Sequence, residues 1–112
     1  MIRLKDNTIR IEELKPVLKN KLVDIALICK EVEGGTYEMT ITSGNDGIHM
    51  RKSKHYTNEA IDIRNRDMKR RGEVSNRIKK FLGVHFDVIN KVTHIHIEWD
   101  KKGGNKNERK EN

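Results

Sequence analysis

The sequence predicts an α+β domain, a small and mainly antiparallel sheet with helices packed on one face and a polar, histidine-bearing face on the other. Three features carry this. Apolar residues recur in steps of three and four from Leu14 to Val32, the period of a helix. Residues 59–64 and 93–100 alternate isoleucine with polar residues, the period of a strand with one buried face. With 112 residues, 34% of them hydrophobic, the chain has material for one core.

In chain order, Ile2, Leu4, Ile9 and Ile11 alternate about the turn pair Asp6-Asn7, which predicts a short N-terminal hairpin. Pro16 suits a first helical turn. From there Leu14, Leu18, Leu22, Ile25, Cys29 and Val32 line one face of a single helix that stops at Gly34-Gly35, so Cys29 is expected in the core. Residues 37–42 read as a strand. Residues 43–58 are polar, contain Gly44, Asp46 and Gly47, and form a long loop that carries His49 and His55; loops of this length in compact domains concentrate function. A second strand follows at 59–64. Asp67 is placed to cap a second helix with Val74, Ile78 and Phe81/Leu82 on its buried face, ending at Gly83, and His85 opens the next strand in a structural position. Residues 86–89 and 93–100 then pair as a hairpin. The domain is expected to occupy 1–99, and 100–112, without an apolar residue, to be a disordered basic tail.

The net charge of +7 is uneven: residues 64–80 carry net +6 and the tail net +2. A cationic surface suits an anionic polymer, cell-wall material or nucleic acid. No aromatic residue interleaves with these cations and no nucleic-acid motif occurs, which argues against nucleic acid. No apolar run reaches the roughly 20 residues of a membrane span, the run from Leu22 to Cys29 being broken by Asp24. The first residues lack an apolar signal core, so the chain is expected to be made in the cytoplasm without a signal peptide. Cys29 is the one cysteine, which excludes an internal disulfide and a thiolate metal cluster and leaves His, Asp and Glu as candidate ligands.

Residues two apart on a strand share a face, so His94, His96 and Glu98 point one way and Ile95, Ile97 and Trp99 the other. In the same manner Asp62 and Arg64 lie opposite Ile61 and Ile63, with the small Ala60 leaving room beside Asp62. Two imidazoles and a carboxylate are costly on a covered face unless water, a partner or a metal satisfies them. If the two strands adjoin, Asp62, His96 and the loop residue His55 offer one oxygen and two nitrogens, donors that zinc accepts at about 2.0–2.2 Å. Three protein ligands leave a fourth position, the arrangement of a catalytic Zn2+, one per chain. His94 is then a base or a donor to the transition state, and Glu98 an acceptor for a ligand imidazole.

The segment Ser53-Lys54-His55-Tyr56-Thr57-Asn58-Glu59-Ala60-Ile61-Asp62, with the later His94-Ile95-His96, resembles the Ser-x-His-x-x-Gly-x-Ala-x-Asp and His-x-His motifs of the zinc D-alanyl-D-alanine carboxypeptidase and L-alanyl-D-glutamate endopeptidase family. These are peptidoglycan-cutting enzymes that include many phage endolysins and share their site architecture with hedgehog signalling domains. The resemblance spans roughly residues 39–99. It implies zinc held by His55, Asp62 and His96, a catalytic His94, and a strand end at Ile41-Thr42-Ser43-Gly44 leading into the site. It further implies a peptidoglycan peptide as partner and the cell wall as site of action, reached by phage-type release or virion delivery.

The departures are specific. Asn58 stands where the family has Gly, and Asn tolerates a positive φ. Asn45-Asp46 replace the Tyr-Arg whose arginine grips the substrate in many relatives; Arg51 and Arg64 are candidate substitutes, and His49 is a candidate substrate contact. Thr93 occupies the position at which some members place a catalytic carboxylate, so His94 carries that role here. Ser53 is expected to hold His55 within the loop. Two alternatives stay open: a zinc-binding, non-catalytic cell-wall or protein-binding module, and a basic nucleic-acid-binding protein.

Overall fold

The computed structural model describes residues 2–44 and 58–100. They form a small α+β domain with a five-stranded mixed sheet. The elements are β1 (Ile2–Leu4), α1 (Pro16–Lys19), α2 (Leu22–Glu33), β2 (Met39–Ser43), β3 (Ala60–Arg64), α3 (Arg71–Leu82), β4 (Phe86–Asn90) and β5 (His94–Trp99), with strand order β1-β2-β3-β5-β4. Every pairing is antiparallel except β1 with β2. The expected tail lies outside the described residues from 101 onward.

The isoleucines expected to face inward do so: Ile61, Ile63, Ile95 and Ile97 are fully buried and share one core with Leu18, Leu22, Ile25 and Cys29 from the first helical region and Val74 and Ile78 from α3. Burying an aliphatic side chain of this size is worth about 1.5–3 kcal/mol. The polar residues of the same strands are thereby directed to the opposite face, because the backbone alternates whatever the side chains are.

Four local expectations are corrected. There is no N-terminal hairpin: β1 pairs in parallel with β2, Ile2 opposite Met39 and Leu4 opposite Ile41, and Lys5 N–H continues to the Ile41 carbonyl. Asp6 closes a turn by accepting the Thr8 amide at 2.9 Å, and Ile9 folds into the core instead of pairing. Joining an existing sheet satisfies more backbone than a two-stranded ribbon would. The helix expected to run through to Gly34 is broken at Asn20-Lys21, where Lys21 N–H bonds to Leu18 O, three residues back, and tightens the turn. Leu18 and Leu22 are buried on either side of the break, so the apolar stripe survives it.

Asp67 does not cap α3. Its Oδ1 accepts the Tyr37 hydroxyl at 2.9 Å, while the Glu33 carboxylate at the end of α2 accepts the amides of Lys69 and Arg70 that lead into α3. Phe81 is 44% exposed, its ring under Lys21 Nζ, whereas Leu82 packs against the core. The chain leaves α2 at Gly34 (φ 125°) and α3 at Gly83 (φ 84°), backbone that side chains disfavour. No helix among the described residues is long and apolar enough to cross a membrane.

Candidate functional site

β3 and β5 adjoin at the centre of the sheet, and their register sets Asp62 opposite His96, Arg64 opposite His94 and Ala60 opposite Glu98. All six lie on the face turned away from the isoleucines. β2 reaches the same place. Its register with β3 shifts between Ile41 and Ser43, so Ile41 pairs with Ile63 but Ser43 pairs with Asp62, and the Thr42 hydroxyl donates to the Asp62 carbonyl at 3.4 Å. The extra residue is a bulge, a device that turns the end of a strand toward a site. Asn58, just before β3, has φ 63°, the conformation glycine would supply at that point of the motif.

Asp62 lies between the two imidazoles: Oδ1 is 2.8 Å from His96 Nδ1 and Oδ2 is 3.7 Å from His94 Nε2. His96 Nε2 is 2.9 Å from Glu98 Oε1. The side chains of Asp62, His96 and Glu98 are only 15, 12 and 18% exposed, so their charges act on one another with little screening by water. Burial opposes the charged imidazole, but hydrogen bonds to Asp62 and Glu98 and the charges of both carboxylates outweigh it and push His96 up to about 9. At neutral pH this ring is a cation clasped by two carboxylates. His94 is held from its other side, Thr93 Oγ1 lying 3.0 Å from Nδ1.

Of the expected site residues, Asp62, His94, His96 and Glu98 come together, and Arg64 stands beside His94 in register. His49, Arg51, Ser53 and His55 lie outside the described residues. Among the described residues no group of three or more His, Cys, Asp and Glu side chains is arranged to hold a metal ion. The donor types of the part described are ones zinc accepts, an Asp62 oxygen and a His96 nitrogen whose other nitrogen is braced by a carboxylate, once the ring gives up the hydrogen that Nδ1 shares with Asp62.

Two residues near this face are not among the expected site residues. Asp87 is 5% exposed and pairs in register with Glu98, which brings another carboxylate to the same face; alternation between the buried Phe86 and Val88 is the signal that places it. Asn65 is fully buried and donates to Asn90 Oδ1 at 2.8 Å and to the Lys91 carbonyl at 2.7 Å, stapling the end of β3 to the turn before β5. Nothing in the sequence marks that long-range contact. No protein-family model matches the chain, and no curated protein matches it.

Proposed function

We propose that this chain is a zinc-dependent peptidase that hydrolyses a peptide bond in peptidoglycan stem peptides or cross-links, as a carboxypeptidase or an endopeptidase. The observation that carries the reading is Asp62 lying between His96 Nδ1 and His94 Nε2 on the sheet face turned away from the core, at the residues where the sequence resembles the zinc peptidase motifs. His55, Asp62 and His96 would hold Zn2+. Bound there, the ion would supply a Lewis acid that lowers the pKa of a coordinated water to about 7 and polarises a carbonyl.

The chain's own residues do the rest. Asp62 orients both imidazoles, and Glu98 fixes the His96 ring by taking the hydrogen on Nε2. His94, half-buried at the edge of the cluster, is placed to steady negative charge developing on the substrate oxygen. Arg64, next to His94, is the described candidate for gripping a substrate carboxylate or carbonyl.

Metal analysis of the purified protein, followed by digestion of muropeptides with and without chelator and mass spectrometry of the products, tests this. One zinc per chain and chelator-sensitive release of D-alanine or cleaved stems is expected. Stoichiometric zinc without cleavage would instead establish the binding-module reading, which the Asn45-Asp46 pair favours because it stands where relatives carry their substrate arginine. Protein that takes up no zinc removes both.

A further inference from the structure

β4 inverts the usual order of burial on the site face. Its pairing with β5 sets Phe86 opposite Trp99 and Val88 opposite Ile97 on the core side, and Asp87 opposite Glu98 and Ile89 opposite His96 on the side of the histidines. There the carboxylate is the covered residue, Asp87 being 5% exposed, and the isoleucine is the open one, at 45%. Of the exposed large hydrophobics that lie in described strands, Leu4 pairs with Ile41 on the core side, so Ile89 alone stands on the face of the candidate site.

The register defines what Ile89 can touch. Side chains directly opposite on antiparallel strands have Cβ atoms about 4.5–5.5 Å apart, and diagonal neighbours are about 7–8 Å apart. Ile89 is therefore the direct neighbour of His96 and the diagonal neighbour of His94 and Glu98. The His96 nitrogens meet Asp62 from β3 and Glu98 along β5, which leaves Ile89 bordering the ring from the β4 side. One aliphatic side chain, with Asp87 and Glu98 on one flank and His94 on the other, offers area for a methyl or similar small group and too little for an aromatic ring.

We infer that Ile89 is a specificity-determining residue, which receives the small aliphatic side chain of a substrate residue next to the scissile bond. The inference rests on the peptidase reading and adds the side of the site on which the substrate's apolar group lies. A peptide seated over His94 meets the cation of Arg64 on the β3 side and the aliphatic surface of Ile89 on the β4 side. An alanyl residue presents a methyl of the size that Ile89 can cover, and a glycyl residue presents none.

Kinetics of the purified full chain on matched stem peptides, alanyl on both sides of the cleaved bond or glycyl on one side or the other, read the discrimination. At one of the two positions kcat/KM for the alanyl peptide should exceed that for the glycyl peptide by about 4-fold, the worth of one covered methyl. Ile89→Thr, which keeps the β-branch and the strand preference, should abolish that ratio, and Ile89→Val should keep most of it. A ratio absent from the unaltered chain, a ratio unchanged in Ile89→Thr, or equal slowing of both peptides, as a merely structural role would give, overturns the inference. A second readout needs no cleavage: in 13C-methyl spectra the Ile89 Cδ1 signal, assigned by its loss in Ile89→Val, should move with the alanyl peptide and not with the glycyl one. If the chain cleaves nothing and this signal moves, the peptidase reading falls and the Ile89 contact stands. If the signal stays in place, the inference falls whatever the chain cleaves.

Discussion

Asp62 and His96 face each other across adjacent antiparallel strands, and their side chains meet, Oδ1 to Nδ1, at 2.8 Å. Thirty-four residues separate them in the chain, and the β3–β5 register alone makes them neighbours. An ion pair this enclosed is sensitive to loss of either partner, because the remaining charge keeps its burial and loses its compensation.

Asp62→Asn preserves shape and removes the charge. On the proposed ligand set, zinc affinity should fall by more than about 100-fold. The His96 titration should also move down from about 9 toward its ordinary 6.5. Metal analysis and histidine titration by NMR read the two effects separately; a variant that retains stoichiometric zinc removes Asp62 from the ligand set.

The metal-free protein should lose stability as the pH rises. His96 titrates at about 9 when folded against 6.5 unperturbed, so the folded state binds the extra proton across that interval. The contribution is complete below 6.5 and vanishes as pH passes about 9. Zinc works the other way, because it needs the neutral ring. The two carboxylates around His96 set the onset of proton competition toward pH 9. Thermal melts from pH 6 to 10, with and without zinc, check both slopes, and Glu98→Gln should flatten the metal-free one.

Asn65→Ala should destabilise the fold by about 1–3 kcal/mol, because it strips the donor from Asn90 Oδ1 and the Lys91 carbonyl at a fully buried position. Urea unfolding measures it. A value within experimental error of zero would mean the staple is replaced by water and does not hold the turn.

Asn58→Gly should be nearly neutral and Asn58→Val should cost about 1–2 kcal/mol, since φ 63° suits glycine and asparagine and opposes a β-branched side chain. Comparable stability of the two variants would show that the turn relaxes to a negative φ.

Residues governed by local rules were readable in advance. The alternation of Ile61, Ile63, Ile95 and Ile97 with Asp62, Arg64, His94, His96 and Glu98 assigns each side chain to a face once the segments are strands. The spacing from Leu14 to Val32 likewise names the buried stripe even though the helix breaks within it. Two of the misses share one cause. Ile2–Leu4 looks like half of a hairpin and Asp67 looks like a cap, but each has a better partner far along the chain, β2 for the first and the Tyr37 hydroxyl for the second.

The site divides along the same line. From its own text the chain determined which side chains could be polar neighbours and which had to be core, because backbone periodicity and the cost of burying charge act within a few residues. Only the tertiary structure decided that Asp62 lies between two imidazoles, that Glu98 braces His96, and that Asn65 anchors the turn ahead of Thr93 and His94. Those contacts depend on strand order and register, which are set when the whole core packs and which no local pattern encodes.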